Sequence, residues 1–187
     1  MSLLRQGTYH VDSYDSYYKQ LYVRQLEEST MEAAAKRFFT SPYFAVVGAS
    51  QDRSKFGFKI FAWYHAHTLA VIPINPSRPS IALPSKTYTT VASPGALPDP
   101  PQTALSFLTP PSVTRKVLED ARTAGVKSVW LQPGSYDEGV MKYAKDNFEN
   151  AVGGFDEGTV GGEGWCVLVD GENCLEAAGR VVQRQKL

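Results

Sequence analysis

The stretch Phe44-Ala-Val-Val-Gly48-Ala-Ser-Gln-Asp-Arg-Ser-Lys55-Phe-Gly57-Phe-Lys59 decides the fold. Phe44–Val47 is a short apolar run that ends on Gly48, the pattern of a buried strand leading into a tight turn. From Phe56 to His67 the chain is long enough for a helix. The same alternation continues. Leu69–Ile74 and Ala104–Leu108 are further apolar runs, and Val113, Val117, Leu118, Ala121 and Ala124 mark a helix face closed by Gly125. Val126–Leu131 reads as the next strand. Val140, Ala144 and Phe148 lie four apart on another helix, Trp165–Val169 reads as a last strand and Cys174–Gln183 as a last helix. Strand runs separated by helices of about 10–15 residues predict βαβ units and a parallel sheet. Right-handed crossovers then make the fold α/β, a Rossmann-like doubly wound sheet flanked by helices.

Outward from this core the chain divides into an N-terminal helical extension, residues 1–40, and the α/β domain, residues 41–187. Tyr14, Tyr17, Tyr18, Leu21, Tyr22 and Leu26 form one helix face. A second helix follows. Ser29 and Glu32 have capping-box spacing, Ala33–Ala35 favour helix, and Ser41-Pro42 ends it. The tyrosine-rich face packs on its own domain or serves a second copy or a protein partner, since such faces suit interfaces. Met31 is expected to begin the compact unit. Ten of twelve prolines fall between Pro73 and Pro111, and six of fifteen glycines between Gly153 and Gly164. The first set punctuates connections. The second reads as a mobile surface loop or lid.

Composition sets bounds on function. The chain has 187 residues, 43% hydrophobic and 20% charged, which is ordinary for a globular domain. No apolar run of about 18 residues predicts a membrane span. Nineteen basic and nineteen acidic residues cancel. A nucleic-acid binder that works by basic excess is therefore excluded. The zero hides a segregation. Residues 53–98 contain Arg53, Lys55, Lys59, Arg78 and Lys86 and no acid, whereas Asp137–Glu176 holds ten acids and two lysines. Local positive charge inside a neutral chain suits a small anion. Cys166 and Cys174 fit no metal or redox spacing, and a reducing, cytoplasmic setting is expected. The first ten residues lack the apolar core of a secretory signal. Asp12, Asp15, Glu27 and Glu28 argue against a mitochondrial presequence without excluding that compartment.

Ligands of open α/β sheets bind outside the carboxyl ends of the strands, so those segments carry the candidate chemistry. After Gly48, a glycine turn leads to a helix whose first N–H groups favour phosphate, with Lys55 and Lys59 near. The NAD fingerprint G-x-G-x-x-G is absent, and so is G-x-x-x-x-G-K-[ST]. The second strand runs into Asn75-Pro76-Ser77-Arg78, where an acidic residue would hold a ribose and Arg78 would accept a phosphorylated one. The third ends Thr109-Pro110-Pro111-Ser112, a rigid entry to a helix with Thr109 or Ser112 as candidate cap. The fourth ends Gln132-Pro133-Gly134, and Gln132 can both donate and accept.

Taken together, these four segments resemble the CoA-binding-domain protein family, which is Rossmann-like and similar to the CoA-binding domain of the succinyl-CoA synthetase α subunit. The likeness covers roughly residues 42–152 and resumes near Val169–Leu175. It implies that Gly48, Ala49 and Ser50 form the phosphate-binding turn and that Lys55, Phe56 and Gly57 form the segment after it. Asn75, Pro76 and Arg78 match the second turn, Arg78 standing where the synthetase-like domain has a lysine. Thr109, Pro110 and Pro111 match the wall of the crevice, Gln132 and Gly134 the fourth strand end. Cys174 resembles a cysteine near the end of the family's last strand. The third strand end carries only Thr-Pro-Pro where many members have a longer basic-aromatic motif. The arm and the Gly-rich stretch look like additions.

The expected function is non-catalytic binding of coenzyme A or an acyl-CoA. Lys55, Lys59 and Arg78 would neutralise phosphates, with the adenine between the Asn75-Pro76 and Thr109-Pro110 turns. The alternatives are an NADP-linked oxidoreductase, a remnant acyl-CoA ligase subunit, or a pure interaction module built on the tyrosine arm. Tyr143 lacks a lysine four residues on, which disfavours the reductase, and no histidine follows His67 to carry a phosphohistidine. His65 and His67, two apart on a helix, face different ways and suit no metal. Asp156, Glu157 and Glu163 read as loop-solvating charges. Cys174 reads as a buried thiol with a redox role as the alternative, and Trp63, Trp130 and Trp165 read as core.

Overall fold

The computed structural model describes residues 30–154 and 159–181. The tyrosine face over 14–26, Ser29, Asp156 and Glu157 lie outside them. In chain order the elements are α1 (Met31–Phe38), β1 (Tyr43–Val47), α2 (Phe56–Ala66), β2 (Val71–Ile74), β3 (Ser80–Ala82), β4 (Thr87–Thr89), β5 (Thr103–Phe107), α3 (Pro111–Thr123), β6 (Ser128–Leu131), α4 (Glu138–Asn147), β7 (Asn150–Val152) and α5 (Val167–Ala177). Five strands form one parallel sheet in the order β2-β1-β5-β6-β7. β3 and β4 form a separate antiparallel pair within the proline-rich connection. None of the described helices is long and apolar enough to cross a membrane.

The period of two along a strand sorts the core into two layers. Phe44 and Val46 of β1, with Ala104, Trp130 and Val152, face α1, α2 and α5. Ala45 and Val47, with Leu105, Phe107, Val129 and Leu131, face the other way and pack with Leu118 and Ala121 of α3 and Val140, Met141 and Ala144 of α4. Both faces are covered, which is why the strands read as continuous apolar runs. α2 is pinned to the middle of the sheet by Tyr64, whose hydroxyl lies 2.8 Å from Ser106 Oγ of β5. Burial pushes the Tyr64 phenol up, so it stays protonated.

α1 is part of this core. Phe38 and Phe39 are fully buried, and Phe38 meets Trp130 edge-on at 5.3 Å between ring centres. Asn150 of β7 donates to the Ala34 carbonyl and to Ser128 Oγ, both at 2.9 Å, and so ties helix to sheet. The cap of α1 is Thr30, whose hydroxyl oxygen accepts the Ala33 N–H at 3.1 Å. The expected Ser29 cap is corrected by one residue. From the other terminus, Arg180 donates to the carbonyls of Phe39 and Ser41 and closes the chain over the α1–β1 connection.

The last strand differs from expectation. It is Asn150–Val152, directly after α4, and Trp165–Val169 instead enters a helix, α5, which ends at Ala177. A short apolar run does not by itself distinguish a buried strand from a buried helix. Asp170 decides it here. Its buried carboxylate accepts the N–H groups of Val160 and Cys166, each at 2.8 Å, and the Thr159 hydroxyl. Those bonds hold the entry to the helix. The Trp165 carbonyl accepts the Trp130 indole N–H at 3.1 Å, a side-chain bond to β6. Cys174 accordingly lies on a helix, not at a strand end. Trp130 and Trp165 are core residues, and Trp63 is partly buried against that core.

Candidate functional site

β1 and β5 lie side by side in the sheet, and the chain proceeds from them in opposite directions, to β2 on one side and to β6 and β7 on the other. The carboxyl ends of such a pair bound the crevice of a doubly wound sheet. The first turn, the Thr-Pro-Pro wall and the fourth strand end all meet there.

Gly48 leaves β1 with φ of +86°, a left-handed conformation that a side chain would strain. A Cβ on it would sit 3.1 Å from Thr109 Cγ2 across the crevice. Gly57, in the first turn of α2, comes closer still: a Cβ there would stand 2.1 Å from the Gly48 carbonyl oxygen. Helix and strand end touch backbone to backbone because both positions lack a side chain. Asn75, after β2, donates to the Ala49 carbonyl at 2.9 Å and accepts the Ser77 N–H at 2.9 Å. It therefore braces one turn against the other.

Between Gly48 and α2 the loop folds on itself. Ser50 Oγ accepts the Asp52 N–H at 3.1 Å, and Asp52 accepts from the Ser54 hydroxyl at 2.7 Å and the Ser54 N–H at 3.0 Å. Those Ser54 bonds, and then the charge of Lys55, hold the Asp52 carboxyl below its ordinary value. Lys55 is the N-cap residue of α2 and makes no side-chain cap bond, so the helix opens with uncapped N–H groups. Lys59 Nζ rests 5.0 Å over the Phe56 ring, and the Arg53 guanidinium 5.9 Å over Phe58. Arg53, Lys55, Lys59, Pro76 and Arg78 are all exposed. The Arg78 carbonyl is held by the Thr90 hydroxyl, which leaves its guanidinium in solvent beside the second turn.

The wall differs in detail from expectation. Neither Thr109 nor Ser112 caps α3; Pro110 is the N-cap residue and Pro111 the first helical one. The Thr109 hydroxyl is 2.8 Å from Thr114 Oγ1, which in turn donates to the Thr109 carbonyl at 2.8 Å. That pairing takes the hydroxyl away from a cap and stiffens the wall.

Gln132 is 3% exposed at the end of β6, and its Oε1 accepts the Val167 N–H at 2.9 Å. It thus caps α5 from the neighbouring strand. Its Nε2 has no partner among the described residues. Above it opens a cavity of about 420 Å³, between Phe56 and Ile60 of α2, Leu108, the Gln132–Gly134 turn, residues 161–164, and Cys166, Leu168 and Val169. The Gly-rich stretch reads from sequence as a mobile surface loop or lid; of its described residues, Thr159 and Val160 are bonded to Asp170 and 161–164 line the cavity. Neither Cys166, named only for its spacing from Cys174, nor Leu168 was placed at the site by the sequence, and the glycine run was the one signal for this wall.

The remaining candidates lie elsewhere. His67 is buried, with Nε2 2.9 Å from Glu172 Oε1 and Nδ1 2.7 Å from the Trp63 carbonyl, and so joins α2 to α5. His65 stacks on Tyr88 at 4.1 Å. Among the described residues no group of three or more His, Cys, Asp and Glu side chains is placed to hold a metal. Burial pushes both thiols up, Cys174 to about 12 with added repulsion from Asp170 and Glu32, which suits packing and not nucleophilic attack.

Comparison with known proteins places the chain in a family. A parallel sheet in this order with helices on both faces defines a Rossmann-like α/β domain. The family model described as CoA binding domain matches residues 43–155, more than half of the chain, and the protein belongs to that family. No curated protein matches it. A conserved hypothetical protein from Pyrococcus furiosus is 28% identical, with a TM-score of 0.51 over 59% of this chain and 91% of that one. A hypothetical protein from Pyrococcus horikoshii OT3 is 21% identical, TM-score 0.58, over 67% and 85% of the two chains. A Thermus thermophilus protein is 24% identical, TM-score 0.55, over 65% and 89%. The last two share the fold.

Proposed function

We propose that the protein binds coenzyme A or an acyl-CoA without catalysing a reaction, with the pyrophosphate on the turn between Gly48 and α2. The observation that carries this is the close backbone packing of Gly57 on the Gly48 carbonyl, which sets the uncapped start of α2 against the end of β1 at the switch point. Family membership supports the choice of coenzyme A over other nucleotides. The uncapped start of α2 offers N–H groups to phosphate, and Lys55, Lys59 and Arg78 surround it with exposed positive charge. Asp52 opposes that charge, and its Ser54 bonds turn the carboxylate into the loop. Asn75, Pro76, Thr109, Pro110 and Pro111 supply the adenine cleft.

Calorimetric titration with CoA and with NADP tests the proposal. CoA is expected to bind and NADP not. Affinity should fall as salt rises, and Lys55→Ala, Lys59→Ala or Arg78→Ala should each weaken it about two- to fivefold, the range of exposed charge contacts. Absence of CoA binding at millimolar concentration would sink the proposal. Hydride transfer with NADP would favour the reductase.

A further inference from the structure

We infer that the cavity beside Gln132 is a chamber for a neutral, medium-length acyl group carried on the coenzyme, so that a fatty acyl-CoA binds more tightly than free CoA or a dicarboxylic acyl-CoA. The inference rests on the CoA reading of the adjoining turn. The cavity adjoins the segment that follows that turn, since Phe56 and Ile60 of α2 line it, and Leu108, which precedes the Thr109 wall, lines it too. At about 420 Å³ it is in the size range of small-molecule pockets, about 300–1,000 Å³. Its walls are apolar at Ile60, Leu108, Leu168 and Val169. Among the described residues no basic side chain lines it, and Glu163 adds an acid to its lining. A terminal carboxylate would meet repulsion and no counter-charge, whereas an alkyl chain would exclude water from apolar surface. The Gln132 amide stands in the wall with Nε2 unpartnered among the described residues, and the carbonyl of a thioester supplies the acceptor that it lacks.

Titration with free CoA, acetyl-, butyryl-, octanoyl- and succinyl-CoA reads this directly. Affinity is expected to rise about fourfold per methylene until the chamber is filled. Butyryl-CoA should bind more tightly than succinyl-CoA, which has the same carbon count, and Glu163→Gln should narrow that gap. S-octyl-CoA, a thioether without the carbonyl, should bind about two- to tenfold more weakly than octanoyl-CoA, the worth of one hydrogen bond. Val169→Trp alters a half-exposed position on the chamber wall and should remove the chain-length gain while leaving the affinity for free CoA unchanged. Equal affinity for every acyl-CoA and for CoA would overturn the chamber and leave the CoA reading standing. Failure of all of them to bind would overturn both.

Discussion

Gly57 shows how much a single position can determine. In the sequence it is a glycine nine residues after Gly48, with no fingerprint spacing to mark it. In the fold it is where helix and strand end touch, with a notional Cβ 2.1 Å from a backbone oxygen that has no rotamer to move. Gly57→Ala should lower the unfolding free energy by about 1–3 kcal/mol, the usual cost of overpacking. Gly95→Ala, whose Cβ would meet nothing nearer than 3.9 Å, should change it by no more than about 0.5 kcal/mol. Urea denaturation of the two variants checks this, and equal effects would remove the packing argument. Gly48 and Gln132 could be picked out from the sequence because strand ends are where α/β sheets bind. The engagement of Asn75 with Ala49 and the unpaired Gln132 amide could not, because both depend on which strand ends are neighbours in space.

At the scale of elements, long periodic segments were readable and short ones were not. α3 and α4 follow from their apolar spacing and α2 from its length, whereas β7 has three residues and β3 and β4 three each, too few for a period to show. Trp165–Val169 is apolar enough for a strand, and the buried Asp170 that turns it into a helix start lies one residue beyond the run. The β3–β4 pair also sets the environment of α2's last turn. His65 lies edge-on to Phe61 at 4.7 Å and stacks on Tyr88 of β4. Burial, and then the charge of Lys86, depress its pKa to about 4 from 6.5. The native state therefore keeps this imidazole neutral where the unfolded chain would protonate it. Its contribution is fully present above about pH 6.5 and is lost as pH falls toward 4. His65→Phe should flatten the fall in melting temperature between those pH values relative to the unsubstituted protein. Parallel curves would show that His65 is not the group responsible. The side chain is only partly buried, so solvent screening makes the loss smaller than the full linkage value.

The whole molecule explains the charge balance. Nineteen positive and nineteen negative charges cancel, yet Lys55, Lys59 and Arg78 sit around the carboxyl ends of β1 and β2, while Glu163 of the acidic stretch lies across the cavity. Such an arrangement suits a ligand with charged phosphates at one end and a neutral group at the other. The sheet order makes it possible, because it brings residues 48–59, 75–78, 108–111 and 132–134 to one edge. The most direct measurement is a crystal structure of the protein grown with millimolar CoA. The account predicts pyrophosphate oxygens within hydrogen-bond distance of the N–H groups between Ala49 and Gly57, with the thiol end directed at Gln132. Coenzyme A bound away from the Gly48–Gly57 turn, or an empty crevice, would contradict it.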